Sequence, residues 1–268
     1  MSLDDQGFLS PEIEKYREEI RAKNQPSFKL VEDLNGFCQQ TKYRLEIHNR
    51  DGQQLFAGCL LVKLLNDVQA AVILFEKGLV SQGCSMLRVA LESLIVLGKI
   101  CESYEFVHGY VKIGEKERLK LVRSIRSVST NVFNDIKPEL TDELIKKIEK
   151  TLEGTECTSN REQWARDINL HHLYVGAYRL FSQEVHSSPR ALNEYFMSNE
   201  EHEFIGFEWG PKGGEDLRVE LLEASRFLIY GMSFINKLFE LNIDEQLKAF
   251  DNQYAEMDGS AMEGTKFV

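Results

Sequence analysis

The stretch "LFAGCLLVKLLNDVQAAVILFEKGLVSQGCSMLRVALESLIVLG", Leu55 to Gly98, decides the fold. It is apolar around most of a helical circumference from about Gln54 to Lys77. The same holds from about Ser81 to Ser103, and "KGLVSQG" makes a short link between the two. Two helices of this kind joined tightly bury their faces against each other as an antiparallel hairpin. Between Leu55 and Phe75 the only charges are Lys63 and Asp67, and between Leu79 and Gly98 they are Arg88 and Glu92. Each is an i,i+4 pair and so shares one helix face. Charges on helices this apolar are costly unless paired. Either the pairs neutralise themselves at the rim of the core, or they line one polar pocket, where perturbed charges gather.

Helical patterns continue on both sides. Ser10-Pro11 is an N-cap with a first-turn proline, opening an amphipathic run to about Lys23. Pro26 ends that piece. Phe28, Val31, Leu34, Phe37, Cys38, Thr41 and Leu45 then recur at helical spacing from Ser27 to about His48. Residues 104–136 are helical and more polar, with a thin apolar stripe and a basic one of Lys112, Lys116, Lys120 and Arg123. Pro138 breaks this region, and Thr141 caps a helix to about Leu152. A further helix runs from about Gln163 to Val185, with Pro189 soon after. Residues 198–214 are aromatic and Gly/Pro-bearing, an irregular excursion with room for a two-stranded ribbon. A long helix from about Glu215 to Leu241 follows. The expected architecture is all-α, an up-and-down helical bundle interrupted by that excursion. Its main domain is expected over 50–241, with an N-terminal helical appendage (1–49) and a mostly flexible tail (242–268).

Composition narrows the class. With 268 residues, 43% hydrophobic, the chain can bury a sizeable core. No uninterrupted apolar run approaches the roughly 18 residues that span a bilayer, and the acidic N-terminus lacks a signal core. The expectation is a soluble, cytoplasmic protein with no membrane association. Five cysteines without a Cys-x-x-Cys fit a reducing compartment. A net charge of −11 opposes a general nucleic-acid-coating role but leaves room for a local cationic site. Lys116, Lys120 and Arg123 are the candidates for phosphate-backbone contact; the other reading is a solvated face paired to acidic neighbours.

"YRLFSQEVHSS", Tyr178 to Ser188, carries the chemistry. Tyr174, Tyr178, Phe181 and Val185 form one apolar stripe. Arg179, Ser182 and His186 follow the same rhythm one position on, as a polar stripe along its flank. RNA can be cut without metal by its own 2′-hydroxyl, given a base near neutral pH and a cation on the developing phosphorane charge. Histidine and arginine suit those tasks. The same two residues also fit as half-exposed neighbours of a core stripe.

Two segments together resemble a known pattern. "LRVALESLI" (Leu87–Ile95) resembles the Arg-x-x-x-Glu helix of an uncharacterised bacterial all-helical family, and "YRLFSQEVHSS" resembles that family's Ser-x-x-x-His motif, carried here by Ser182 and His186. More loosely, the Arg179-to-His186 spacing is similar to the Arg-x(4–6)-His signature of HEPN domains, helical bundles found in RNases of toxin–antitoxin and phage-defence systems. That resemblance implies a homodimer with the motifs facing across its interface and Arg179 and His186 as the catalytic pair; Arg88, Glu92, Ser182 and Tyr178 are expected to support them. The chain departs from the signature in having Leu180 where a polar residue is usual. No cofactor is expected. A di-metal site would need two Glu-x-x-His pairs, and only Glu105-x-x-His108 occurs. The expected function is a metal-independent, HEPN-like RNase acting on RNA. The alternative is a non-enzymatic module binding a ligand or a protein encoded in the same operon.

Overall fold

The computed structural model describes residues 2–48, 50–154, 159–185, 189–211 and 216–259. Its helices are α1 (Leu3–Gln6), α2 (Ile13–Lys23), α3 (Gln25–Thr41), α4 (Gly52–Glu76), α5 (Val80–Glu102), α6 (Tyr104–Ser127), α7 (Asp142–Leu152), α8 (Arg161–Asp167) and α9 (His171–Leu173). A single π-helical turn (Tyr174–Tyr178) leads into α10 (Arg179–Val185), followed by α11 (Pro189–Leu192), α12 (Arg218–Phe239) and α13 (Asp244–Asp258). The only sheet among the described residues is the antiparallel pair β1 (Met197–Ser198) and β2 (Phe204–Gly206), inside the expected excursion. The all-α reading holds.

The chain forms two compact units: residues 1–102 with 162–268, and residues 103–161. This differs from the expected division. The N-terminal residues are no appendage, because α3 packs on α12 and the guanidinium groups of Arg17 and Arg21 both reach Glu76 at the end of α4. Of the tail expected to be mostly flexible, Asp244–Asp258 form α13, which packs on α12 and buries Leu247 and Tyr254. Asn236 fixes the turn between them: its side chain accepts from the Ile243 amide at 3.2 Å and donates to Asp244 at 3.0 Å. Residues 260–268 lie outside the described residues.

In the larger unit α4 and α5 form the expected hairpin, and α12 lies against both. Leu64, Leu87, Leu91, Leu94 and Phe227 are fully buried there. Close approach is bought by small residues. A Cβ on Gly98 would stand 2.6 Å from Ile168 and 2.8 Å from Phe234, and one on Gly231 would stand 2.6 Å from Leu64. The helix expected over Gln163–Val185 is broken: Asn169 adopts a left-handed backbone (φ 59°) and caps α8, after which α9, the π turn and α10 follow. Asparagine tolerates that conformation better than most residues because its short polar side chain can bond locally.

The smaller unit is α6 and α7 with a thin core of Leu119, Val122 and Ile148, edged by Leu140, Leu144, Ile145 and Leu152. The Thr141 hydroxyl accepts from the Leu144 amide at 3.1 Å, the expected N-cap. Helix α6 stops at Ser127 rather than continuing to 136; beyond it come short 3-10 turns at Asn131–Phe133 and Lys137–Glu139.

Candidate functional site

The two i,i+4 charge pairs of the hairpin are made as the spacing predicts. Lys63 Nζ lies 2.7 Å from Asp67 Oδ2, and Arg88 Nη1 lies 3.1 Å from Glu92 Oε2. Neither pair stands alone. The Asp67 carboxylate also accepts from Ser93 Oγ at 3.0 Å, which ties α4 to α5. Arg88 is the larger node.

Helix α10 packs on α5 and brings the second motif to the first. Arg88 Nε donates to Ser182 Oγ at 3.1 Å, and its Nη2 donates to the Tyr178 hydroxyl at 2.7 Å. The Tyr178 hydroxyl in turn donates to Glu92 Oε1 at 3.1 Å. The guanidinium also lies over the Tyr178 ring, 4.5 Å from its centroid, and Tyr174 stacks on Tyr178 at 4.5 Å. Ser182 Oγ donates to the Tyr178 carbonyl at 2.6 Å, one turn back on its own helix, leaving a lone pair for Arg88. Thus all three nitrogens of Arg88 are engaged, and its side chain is only 18% exposed. Burial raises the Tyr178 phenol above its ordinary range, and the Glu92 carboxylate adds to the rise. The hydroxyl therefore stays protonated at neutral pH, as its donor role toward Glu92 requires.

The polar stripe of the motif splits. Ser182 turns into the network, whereas Arg179 turns outward: its side chain is 61% exposed and its Nη2 lies 3.9 Å from Glu162 Oε2. Three helical residues rotate by about 300°, so the two side chains diverge by about 60°. That is enough to put one on the α5 side and the other in solvent. His186, the expected catalytic partner of Arg179, lies outside the described residues.

Glu162 gathers more than the sequence suggested. It bonds His171 Nε2 at 3.0 Å and Arg166 at 2.8 Å, besides facing Arg179. The His171 hydrogen bond and then the Arg166 one hold its carboxyl below the usual range. The Glu162-to-Arg166 spacing of four was the available signal for the second of these contacts. In the smaller unit, Lys120 pairs with Glu117 and Arg123 with Glu149, while Lys116 is exposed. Two of the three proposed phosphate contacts are thus already neutralised by carboxylates. Among the described residues no group of three or more His, Cys, Asp and Glu side chains is placed to hold a metal ion.

Residues 54–204, more than half of the chain, match the model of a family of unknown function, DUF5677. No curated protein and no solved structure matches the chain.

Proposed function

For this chain, which belongs to the DUF5677 family, we propose a HEPN-like, metal-independent endoribonuclease activity of the kind used by toxins and phage-defence effectors in the cytoplasm. The observation that carries the reading is the joining of the two motifs. Arg88 and Glu92 on α5 hold Tyr178 and Ser182, 90 and 94 residues from Arg88, in one half-buried network. That network orients the helix that presents Arg179 to solvent and leads to His186. In this reading Arg179 stabilises the phosphorane charge and His186 moves the proton of the RNA 2′-hydroxyl. Arg88, Glu92, Tyr178 and Ser182 act as positioning residues. A second copy of the chain completes the composite site.

One observation favours a second reading, a non-enzymatic module that binds a ligand or a protein partner. The net charge of −11 opposes the approach of a polyanion such as RNA, and Lys120 and Arg123, two of its three expected phosphate contacts, are paired with Glu117 and Glu149. The experiment that decides uses purified wild type, Arg179→Ala and His186→Ala on single-stranded RNA with excess chelator. The RNase reading expects cleavage by wild type and a loss of about 10²–10⁴ in rate for His186→Ala, with unchanged melting of Arg179→Ala. Wild type that leaves RNA uncut overturns it in favour of the binding module.

A further inference from the structure

Helix α4 is apolar around most of its circumference, yet only half of its most hydropathic window is buried. Its inner face, with Leu61, Leu64, Leu65, Val68 and Ala71, lies in the core. Its outer face does not: Leu55 is 50% exposed, Val62 44% and Ile73 54%, and Cys59 and Asn66 are exposed between them. Leu55, Cys59, Val62, Asn66, Gln69 and Ile73 follow a 4-3-4-3-4 spacing. That is the 3.5-residue period of a coiled-coil seam, not the wider stripe by which a helix docks on a globular core.

We propose that this face pairs with the same face of a second copy of the chain, the two α4 helices running parallel and in register. Four observations select that occupant. The 4-3 alternation puts Cys59, Asn66 and Ile73 at the a positions and Leu55, Val62 and Gln69 at the d positions of a heptad. The single asparagine at a central a position is the device that sets register between identical parallel helices, because each amide meets its own copy. Two charges of α4 border this side and both are paired: Lys63 with Asp67 at 2.7 Å, and Glu76, the d position after Gln69, with Arg17 and Arg21, so neither copy presents an unpaired α4 charge to the other. The area suffices: a helix of 25 residues is about 37 Å long, and covering Leu55, Cys59, Val62, Lys63, Asn66 and Ile73 on both copies removes roughly 1,000 Å² of surface, the lower bound of a specific interface. Ile47, 40% exposed and packed over Gly58 beside Cys59, widens the same patch. Helix α4 is also long and apolar enough to cross a bilayer. Its opposite face, however, belongs to the protein core, which leaves a protein rather than lipid to cover the exposed one.

The inference stands apart from RNA chemistry, since it concerns mass and register. The full chain at micromolar concentration is expected to show twice its 30.9 kDa by light scattering. Val62→Lys and Ile73→Glu, both at exposed positions, should each return the mass to one copy while leaving the thermal melt of the dilute protein unchanged. Diamide, which takes two electrons and two protons from a thiol pair, should link the wild-type chains through Cys59. The linked band should vanish in Cys59→Ser, because parallel a positions come within the Cα separation of about 5.5–6 Å that a disulfide spans. A wild-type monomer overturns the proposal, as does a dimer that survives both substitutions. A dimer broken by both but never linked through Cys59 overturns the parallel register. An active RNase that stays dimeric with both substitutions would remove the seam and keep the chemistry; an inactive dimer linked through Cys59 would do the reverse.

Discussion

Replacing Arg88 with alanine tests the network that joins the two motifs. The substitution deletes two hydrogen bonds to neutral oxygens (3.1 Å to Ser182, 2.7 Å to Tyr178), an ion pair to Glu92 at 3.1 Å and a stack on the Tyr178 ring at 4.5 Å. Hydrogen bonds from a charged donor contribute about 1.5–3 kcal/mol when desolvated. The 34% exposure of the Glu92 side chain holds the ion pair to about 1 kcal/mol or less. The stack adds about 1 kcal/mol. Freeing the arginine side chain returns up to about 2 kcal/mol of rotamer entropy, so with two such hydrogen bonds the net loss is about 2–6 kcal/mol. For a unit of this size each kcal/mol moves Tm by about 2–4 °C, a fall of at least about 4 °C. The assay is thermal unfolding of wild type, Arg88→Ala, Tyr178→Phe and the double variant. Because the two groups touch, the double variant should lose at least about 0.5 kcal/mol less than the sum of the singles. Arg88→Lys should recover only part of the loss, since an ammonium cannot reach three partners in the guanidinium plane. An Arg88→Ala protein melting within about 1 °C of wild type, or strict additivity with Tyr178→Phe, would refute the account.

Two further outcomes follow from the packing and the titration of the larger unit. Gly83→Ala should destabilise by about 1–3 kcal/mol despite the better helix propensity of alanine, because the new methyl would stand 2.3–2.9 Å from ring carbons of the fully buried Phe75; a variant that melts at or above wild type contradicts this contact. Burial, aided by the Arg226 charge, lowers the His172 pKa from its ordinary 6.5. The neutral ring is thus the folded form, its contribution is complete above the ordinary value, and it is lost as pH falls from there through the lowered one. Wild type should therefore lose Tm relative to His172→Gln on acidification across that window, and parallel Tm-against-pH curves for the two proteins would sink the assignment.

Much of the architecture was legible in residue spacing. The Leu55–Gly98 hairpin, its two i,i+4 charge pairs, the Thr141 cap and the two-stranded ribbon near the start of the irregular excursion all follow from periods and end signals that act within a few residues. Spacing says which side chains share a face of one helix. It does not say which other helix that face meets. Arg179 and Ser182 belong to one polar stripe in the sequence, yet packing on α5 draws Ser182 to Arg88 and leaves Arg179 in solvent beside Glu162. The break at Asn169 and the π turn before α10 are local backbone departures that a regular 3.6-residue reading passes over. The docking of α13, whose Leu247 and Tyr254 look like isolated apolar residues in an acidic tail, depends on a surface made by α12 and α3. Only the tertiary structure decided these points, because each depends on the burial of one helix against another, far away in sequence.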